Sequence, residues 1–369
     1  MMEPYVPDSL PLPELDYDGQ LIGLVGQANA MLARYDGLLQ GIPNPEALLS
    51  PMVTQEAVLS SKIEGTVATL DEVLEHEAGQ DYDEEKTKDI QEIINYRLTL
   101  MLAKDQLADR DLTLGMVKQL HSVLMNSVRG KNKGPGEFRK DQNWIGRPGR
   151  PIQEAIFVPP GPLRLQDHLD NWEAYLTHQE IDVLIQTAIV HGQFELIHPF
   201  KDGNGRVGRL LVPLYLYSRK TLYSPMFYIS AYLERHRDEY YDRLKMISRD
   251  TDWSGWIMFF LQAVITQAGE NADKVRKIIN LSEEMKAKIE EVTHSQYSIR
   301  LLDAILDKPI FQTSHIVHKT GLAKQTITPL LRQLKNAGIL VTLREPSGRR
   351  PGILAFPELL NIIEGHQIL

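Results

Sequence analysis

The chain has 369 residues, of which 43% are hydrophobic and 24% charged, a balance typical of globular proteins. It contains no cysteine, so disulfides, thiolate metal sites, iron–sulfur clusters and a cysteine nucleophile are excluded. Its net charge of −9 argues against nucleic-acid binding over the whole surface. Because the acidic, proline-rich start lacks the features of a signal peptide and long apolar runs are absent, we expect a cytoplasmic protein with no membrane partner.

Helical periodicity dominates the sequence, and strand patterns are few. Helices are predicted over 18–40, 52–76, 84–104, 113–127, 163–177, 181–197, 204–219, 232–249, 253–269 and 272–293. The stretch 128–162 is instead rich in glycine and proline, and two short strands around 139–145 and 152–158 predict a loose hairpin there. The predicted fold class is therefore mainly α, with a small α+β module at the end of the chain.

That last module has the element order of a winged helix. Residues 297–306 predict a helix, a helix–turn–helix with its turn at Gly321 follows, and two strands come after it. Residues 295–369 hold nine Lys/Arg against five Asp/Glu, a net charge of +4. Because the whole chain carries −9, residues 1–294 carry −13. DNA is one open partner; protein contact or dimerisation through the same module is the other. The side chains expected to face DNA are Lys324, Gln325, Thr326, Thr328 and Arg332 on the second helix of the motif and Arg349 and Arg350 on the wing.

The most informative segment is 198–209, HPFKDGNGRVGR. Apolar helices precede and follow it, so its glycines lie at a helix N-terminus, where free N–H groups and the helix dipole favour an anion. Arg206 and Arg209 are three residues apart and project from the first turn towards the same anion. Asp202 is suited to hold a divalent cation on phosphates, and His198 to accept a proton near neutral pH.

This segment resembles the motif of the Fic family, HPFxDGNGRxxR, at all nine fixed positions, and the resemblance extends over roughly 50–270. It implies an all-helical core with a short hairpin called the flap. It also implies transfer of AMP from ATP, with Mg²⁺ or Mn²⁺, to a Tyr, Ser or Thr hydroxyl of a target protein or of the chain itself, with pyrophosphate leaving. The implied roles are general base for His198, metal positioning for Asp202 and a buried anchor for Phe200. The implied phosphate-binding residues are Gly203, Asn204, Gly205, Arg206, Val207, Gly208 and Arg209, the last at the γ-phosphate.

An inhibitory helix is implied upstream. Residues 60–65, SSKIEG, resemble the family's inhibitory motif [S/T]xxxE[G/N], with Ser60, Glu64 and Gly65 at the diagnostic positions. The resemblance implies that Glu64, on a helix over about 52–76, pairs with Arg209 and so occupies the guanidinium that grips the γ-phosphate. An ordinary surface helix can give the same short pattern. What supports the inhibitory interpretation is the position of this pattern upstream of a full Fic motif.

Target docking and nucleobase binding are implied at two further places. Segment 136–160 resembles the flap and begins with a GxFR element (Gly136, Phe138, Arg139). Flaps bind an extended target segment by main-chain pairing. The expected docking residues are Asn143, Trp144, Ile145, Gly146 and Ile156; packing of Trp144 in the core is an equal alternative. Tyr240 and Tyr241 resemble residues that line the adenine and ribose, with core packing an equal alternative for Tyr241.

These patterns divide the chain into four parts: an N-terminal arm and helices (1–110), a Fic core (111–270), a connecting helix (271–294) and a winged-helix domain (295–369). We expect a homodimer, because helix faces such as 84–104 are apolar enough to pair. Three classes of function stay open. The first is AMP transfer under inhibition; the second is AMP removal or transfer of UMP, phosphate or phosphocholine on the same fold; the third is a DNA-binding regulator with a nucleotide-sensing domain.

Overall fold

The structure is a computed structural model that describes residues 3–13, 15–42, 44–127, 130–147 and 149–368. Positions 128–129 of the predicted glycine-rich stretch and position 148 of the flap lie outside these ranges. Within them the chain forms α-helices and three short strands, which confirms the mainly α fold.

The helices and strands follow one another in this order. The first half contains α1 (Gly19–Gln40), α2 (Pro45–Leu48), α3 (Ser50–Ile63), α4 (Leu70–Glu77), α5 (Glu84–Leu107), α6 (Leu114–Leu124), α7 (Leu165–Leu176) and α8 (Val183–Ile197). The second half contains α9 (Asn204–Ser218), α10 (Ser230–Arg235), α11 (Arg237–Asp250), α12 (Trp253–Thr293), α13 (Ser298–Asp307), β1 (Ile310–Phe311), α14 (Thr313–Thr320), α15 (Lys324–Asn336), β2 (Val341–Arg344), β3 (Ile353–Ala355) and α16 (Pro357–Glu364).

The chain divides into two compact units. Unit 1 comprises Met1–Asp36, Leu59–Gly65 and Asn95–Gly269. Unit 2 comprises Gly37–Val58, Thr66–Ile94 and Glu270–Leu369. The four-part division made from the sequence stays a prediction.

The core of unit 1 is built around α8. Residues 184–197 of this helix are all buried, as expected for a largely apolar helix without a charged face. Two indoles donate to carbonyl oxygens in the middle of α8: Trp172 Nε1 to Val190 O at 2.9 Å and Trp256 Nε1 to Ala188 O at 2.8 Å. A Cβ on Gly192 would lie 2.8 Å from Trp256 Nε1, so glycine is needed for this close approach. The result is a rigid scaffold directly before His198.

Unit 2 contains the predicted helix–turn–helix and hairpin in the predicted order. Gly321, with φ +68°, ends α14, and α15 follows three residues later. Strands β2 and β3 pair antiparallel, and β1, which the sequence patterns missed, completes a sheet of order β1-β3-β2. Helix α16 closes the chain and buries Leu359, Leu360 and Ile363.

Three predicted helix boundaries are wrong. The helix expected over 232–249 is two helices, α10 and α11, separated at His236. The helix expected over 52–76 is two helices, because Gly65 has φ +98° and a new helix starts after Thr69, whose N–H donates to Glu72 Oε2 at 2.9 Å. Conversely, the separate helices expected over 253–269 and 272–293 form one helix of 41 residues, α12. Gly269 lies at the predicted break; a Cβ there would lie 3.2 Å from Met31 Cε, so this glycine permits close packing against Met31.

The predicted flap strands are wrong as extended strands. They are reduced to one antiparallel bridge between Ile145 and Phe157, and residues Ile152–Glu154 form a 3₁₀ turn instead. Prolines at 151, 159 and 160 remove backbone donors from this side of the hairpin, which shortens the ladder. The flap therefore stays a loose hairpin.

Candidate active site

The loop between α8 and α9, residues 198–203, is called the motif loop below. His198 ends α8 in the left-handed conformation, with φ 50°, and its N–H donates to Phe194 O at 3.0 Å. The Asn204 side chain braces the loop from the other end: Oδ1 accepts from Phe200 N at 2.8 Å and Nδ2 donates to Phe200 O at 2.9 Å. Phe200 itself is fully buried and stacks on His121 with ring centroids 3.7 Å apart.

The His198 ring is fixed in one tautomer. Its Nδ1 lies 3.2 Å from Glu195 O, and because a carbonyl only accepts, Nδ1 carries the proton and Nε2 is left as the acceptor. Burial lowers the pKa of His198 to about 4. The nearby Arg139 guanidinium also lowers this pKa, whereas the Glu64 and Asp202 carboxylates act in the opposite direction. The imidazole is therefore neutral at pH 7 and able to take a proton.

An anion site lies at the start of α9. Arg206 and Arg209 are both buried on its first turns, and Gly203 supplies the left-handed turn before it with φ +79°. A Cβ on Gly205 would overlap Glu64 Oε1 and would lie 3.0 Å from Arg209 Nη1. The bare backbone of Gly205 thus lets a carboxylate sit against the helix N-terminus, where the dipole favours negative charge.

The predicted partner of Arg209 is in place. Arg209 Nη2 donates to Glu64 Oε1 at 2.7 Å and to Ser60 O at 2.9 Å, and Arg209 Nε donates to Ser60 Oγ at 2.9 Å. Burial disfavours the charged form of Glu64, but the Arg209 guanidinium outweighs it and holds the pKa of the carboxyl below its usual value. Glu64 lies just after the last residue of α3, and Gly65 turns the chain away behind it.

Asp202 is the remaining charged group of the motif loop. Its carboxylate is half-exposed, lies 3.5 Å from Lys133 Nζ and 3.8 Å from Arg206 Nη2, and accepts from Gly203 N at 2.7 Å. In the described part of the chain no group of three His, Asp or Glu side chains could hold a metal ion. A divalent cation at Asp202 therefore needs further oxygens from a bound phosphate, and an exposed carboxylate beside an anion site fits that requirement.

Sequence reasoning missed three polar side chains around the site. Glu195 lies beside Gly208, where a Cβ would overlap its Oε1, and burial raises the pKa of this carboxyl to about 8. His121 accepts from Gly136 N at 2.9 Å through Nδ1 and donates from Nε2 to Asp202 O at 3.0 Å. Arg139, noted only as part of the GxFR element, donates to the backbone of the motif loop. A buried histidine or arginine in an apolar helix or turn was the only available signal.

The flap residues are placed on the surface. Trp144 is 42% exposed, Ile145 40% and Ile156 56%, so the alternative that Trp144 packs in the core is wrong. Its indole Nε1 donates to Arg150 O at 3.2 Å within the flap. Asn143 Nδ2 reaches back to Phe200 O at 3.1 Å, which ties the flap to the motif loop.

The two candidate nucleobase residues differ in burial. Tyr240 is 1% exposed, packs against Trp256, and its hydroxyl donates to His191 Nε2 at 3.0 Å. Tyr241 is 41% exposed, with the Arg237 guanidinium 5.7 Å from its ring centroid. Tyr241 is therefore the accessible ring of the pair, so the alternative that it packs in the core is wrong; nucleobase contact stays a prediction for both.

The residues predicted to face DNA fall into two groups. Lys324, Gln325, Thr328 and Arg332 are exposed on one face of α15, with Thr326 half-buried beside them. On the hairpin, Arg349 is exposed, but Arg350 is ion-paired with Asp81. Its neighbour Arg344 donates to Gly79 O at 3.0 Å and to Gln80 Oε1 at 2.9 Å, so these two hairpin arginines have partners inside unit 2.

The arrangement is that of a mainly α protein with a preformed anion site at a helix N-terminus beside a neutral histidine. Comparison with known proteins gives its family. Residues 22–105 match the sequence model of the Fic/DOC family N-terminal region, and residues 111–216 match that of the Fic/DOC family, together just over half of the chain. The chain belongs to the Fic/DOC family.

Relatives and solved structures agree with this assignment. The chain is 31% identical over 142 residues to the protein adenylyltransferase Fic of Aedes aegypti, covering 37% of this chain and 24% of that protein. It is 35% identical over 91 residues to a probable protein adenylyltransferase of Aquifex aeolicus, covering 24% of this chain and 26% of that protein. It thus spans about a quarter of the length of these relatives.

A solved structure shares the fold over nearly the whole chain. A Fic family protein from Desulfovibrio desulfuricans matches with a TM-score of 0.59 at 19% identity, covering 93% of this chain and 98% of that one. No helix within the described ranges is long and apolar enough to cross a membrane.

Proposed function

We propose that this protein is a protein adenylyltransferase, which moves AMP from ATP to a Tyr, Ser or Thr hydroxyl of a target protein or of itself, and that it is inhibited by Glu64. The observation that supports this proposal is the position of the Glu64 carboxylate in the anion site, near the neutral His198. Its Oε1 lies 2.7 Å from Arg209 Nη2, and its side chain is 36% exposed. A carboxylate held against a helix N-terminus by a buried guanidinium is chemically a stand-in for a phosphate. The adenylyltransferase relatives support ATP as the source of that phosphate.

Each residue has a defined task in this reaction. His198 Nε2 accepts the proton of the target hydroxyl, whose oxygen attacks the α-phosphorus while the bond to the β-phosphate breaks and pyrophosphate leaves. Arg206, the α9 N-terminus and Arg209 hold the phosphates and offset their charge. The arginines and the helix N-terminus are already in place before substrate binds, which is the condition for electrostatic catalysis.

Asp202 would hold Mg²⁺ or Mn²⁺ together with the phosphates. Such an ion supplies charge neutralisation on the phosphate oxygens. The residue itself is oriented by its neighbours, because Gly203 N donates to its side chain and His121 donates to its carbonyl oxygen. This fixes the carboxylate at the mouth of the site.

Inhibition follows from competition for one guanidinium. Arg209 donates through Nε and Nη2 to three acceptors contributed by Ser60 and Glu64, so these two nitrogens are not available to a γ-phosphate while α3 is in place. Loss of the Glu64 carboxylate removes the only anionic partner among the three. ATP then gains a buried cation, and its phosphates bind in the productive pose.

The test uses ATP labelled at the α- or the γ-phosphate, with Mg²⁺, on wild type, Glu64→Gly and the double variant Glu64→Gly/His198→Ala, each alone and with a cell extract. We expect protein label from the α-phosphate only, stronger in Glu64→Gly than in wild type. The double variant should lose about 10²- to 10⁴-fold, the usual contribution of a general base. Glu239→Gln, an exposed carboxylate on α11, is the matched control and should behave as wild type.

Label from the γ-phosphate would contradict AMP transfer and indicate phosphoryl transfer. Removal of AMP is the second candidate, because the half-exposed Glu64 carboxylate is placed to orient a water molecule in the same site. The test starts from target protein that already carries AMP. Release of this AMP by wild type but not by Glu64→Gln would support that candidate instead.

We also propose that residues 295–369 are a winged-helix domain with α15 as its recognition helix. The exposed polar face of α15 supports DNA as partner, whereas the pairing of Arg350 with Asp81 directs binding away from the wing. In an electrophoretic mobility assay, Arg332→Ala should weaken DNA binding more than Arg350→Ala. Absence of any shift would favour protein contact. A homodimer remains a prediction, supported by the exposed Leu98 and Met101 on α5 and testable by sedimentation.

A further inference from the structure

Arg139 is a buried cation whose partners are all carbonyl oxygens. It is 3% exposed, and its side-chain hydrogen bonds among the described residues go to backbone carbonyls. Burial lowers the pKa of its guanidinium to about 10, which still leaves it charged at neutral pH. The four bonds are Nε to His198 O at 2.9 Å, Nη2 to Pro160 O at 2.6 Å and Ile197 O at 3.3 Å, and Nη1 to Asp141 O at 3.4 Å.

These carbonyls belong to two different functional segments. Ile197 and His198 form the end of α8 and the start of the motif loop, and Pro160 is the last residue of the flap. The Arg139 backbone adds another link, since its N–H donates to Pro199 O at 2.9 Å. One residue therefore joins the backbone of the proposed base to the far end of the flap.

A charged guanidinium is suited to this task. His198 has a left-handed backbone, with φ 50°, which is strained for a non-glycine residue and persists only where its surroundings hold it. The fork of Arg139 presents several donors in one plane, and charge-assisted hydrogen bonds are about twice as strong as neutral ones. A lysine at this place has a single ammonium and cannot reach the same set of carbonyls.

The other end of the flap is tethered in a similar way. Gly136 N donates to His121, whose second ring nitrogen donates to Asp202 O in the motif loop. Both ends of the flap, residues 136 and 160, are thus connected by side chains to the residues that carry the proposed chemistry.

We propose that Arg139 is a positioning residue that clamps the flap to the backbone of His198, so that a target segment on the flap and the imidazole keep a fixed register. Arg139 does not contact the reacting atoms in this proposal. Its consequence for catalysis rests on the proposed function, whereas the clamp itself does not, because the hydrogen bonds exist without substrate.

The test compares Arg139→Lys and Arg139→Ala with Lys140→Ala, all in the Glu64→Gly chain. Lys140 is the exposed neighbour and serves as control. Hydrogen exchange followed by peptide mass analysis should show faster exchange at 142–160 in both Arg139 variants, with α7 and α12 unchanged and the control identical to its parent. Unchanged exchange in the flap would overturn the clamp whether or not the parent transfers AMP.

The catalytic consequence is measured separately. In an active parent we expect Arg139→Lys to lower kcat about 100-fold, as for a misplacement of about 1 Å, with the KM for ATP little changed. Guanidinium ion at non-denaturing concentration should restore part of kcat in Arg139→Ala but not in Arg139→Lys. An increase in the KM for ATP with unchanged kcat would overturn the positioning role. An inactive parent, with the exchange result as expected, would contradict the proposed function and leave the clamp standing.

Discussion

The motif loop and the central part of the flap, residues 142–158, both lie in unit 1 and both come from glycine-containing turns, but they are stabilised differently. In the motif loop Phe200 is fully buried and Asn204 pairs with both of its backbone groups. The described flap residues form one β-bridge and expose Trp144, Ile145 and Ile156. Under the proposed function, the chemistry that depends on fixed distances lies on the packed segment, and target contact is expected on the less packed one.

This contrast predicts a large loss of stability for a truncation in the motif loop. Phe200→Ala should reduce the free energy of unfolding by about 3–5 kcal/mol, because it empties a buried site between His121, Phe138 and Phe194. All four tryptophans (144, 172, 253 and 256) lie in unit 1, so urea unfolding followed by their fluorescence reports on this unit. Phe200→Leu should lose much less; a loss below about 1 kcal/mol for the alanine variant would contradict the packing argument.

A smaller loss is expected where α8 and α9 approach each other. In Gly208→Ala the new methyl overlaps Glu195 Oε1 and lies 3.3 Å from His191 Cε1, so overpacking should cost about 1–3 kcal/mol in the same urea experiment. Gly23→Ala is the matched control, since nothing lies within 4 Å of the added methyl on α1. The control should be stabilised by up to about 1 kcal/mol, and equal behaviour of the two variants would refute the close approach.

The Glu64–Arg209 pair should make stability depend on pH in one direction. The folded pKa of Glu64 lies below its usual value of 4.5, so the contribution is present above pH 4.5 and lost as the pH falls. The Tm of wild type should therefore exceed that of Glu64→Gln at pH 7, and the difference should shrink below pH 4.5. A difference that grows on acidification would show that the carboxyl is not ionised in the folded protein.

The smallest effect on stability is expected in the flap. Ile156→Ala should change the free energy of unfolding by no more than about 0.5 kcal/mol, because the side chain is 56% exposed. Under the proposed function the same variant should raise the KM for the target protein while leaving ATP binding unchanged. A drop in stability comparable to that of Gly208→Ala would contradict the statement that the flap is less tightly packed than the motif loop.

The sequence predicted the features of the site that carry a recognisable motif better than those that do not. The helix N-terminus at residue 204 and the pairing of Glu64 with Arg209 follow from short motifs, so they were accessible without a structure. The hydrogen bonds from Arg139 to carbonyl oxygens, and the bridge that His121 makes to the motif loop, join segments 21 to 81 residues apart. Sequence periodicity carries no information about such contacts. The break after Glu64 was accessible, because Thr69 followed by Glu72 is a helix-start pattern.

Under the proposed function, the three hydrogen bonds on Arg209 have a consequence for how finely the proposed inhibition can be adjusted. Only one of them comes from the Glu64 carboxylate; the others come from the Ser60 hydroxyl and the Ser60 carbonyl, a full helical turn earlier. Removing the serine hydroxyl, the glutamate, or both should therefore give a graded series of enzymes rather than an on and an off form. The backbone bond persists through all of these substitutions, so the final increment of activity needs displacement of the end of α3 itself.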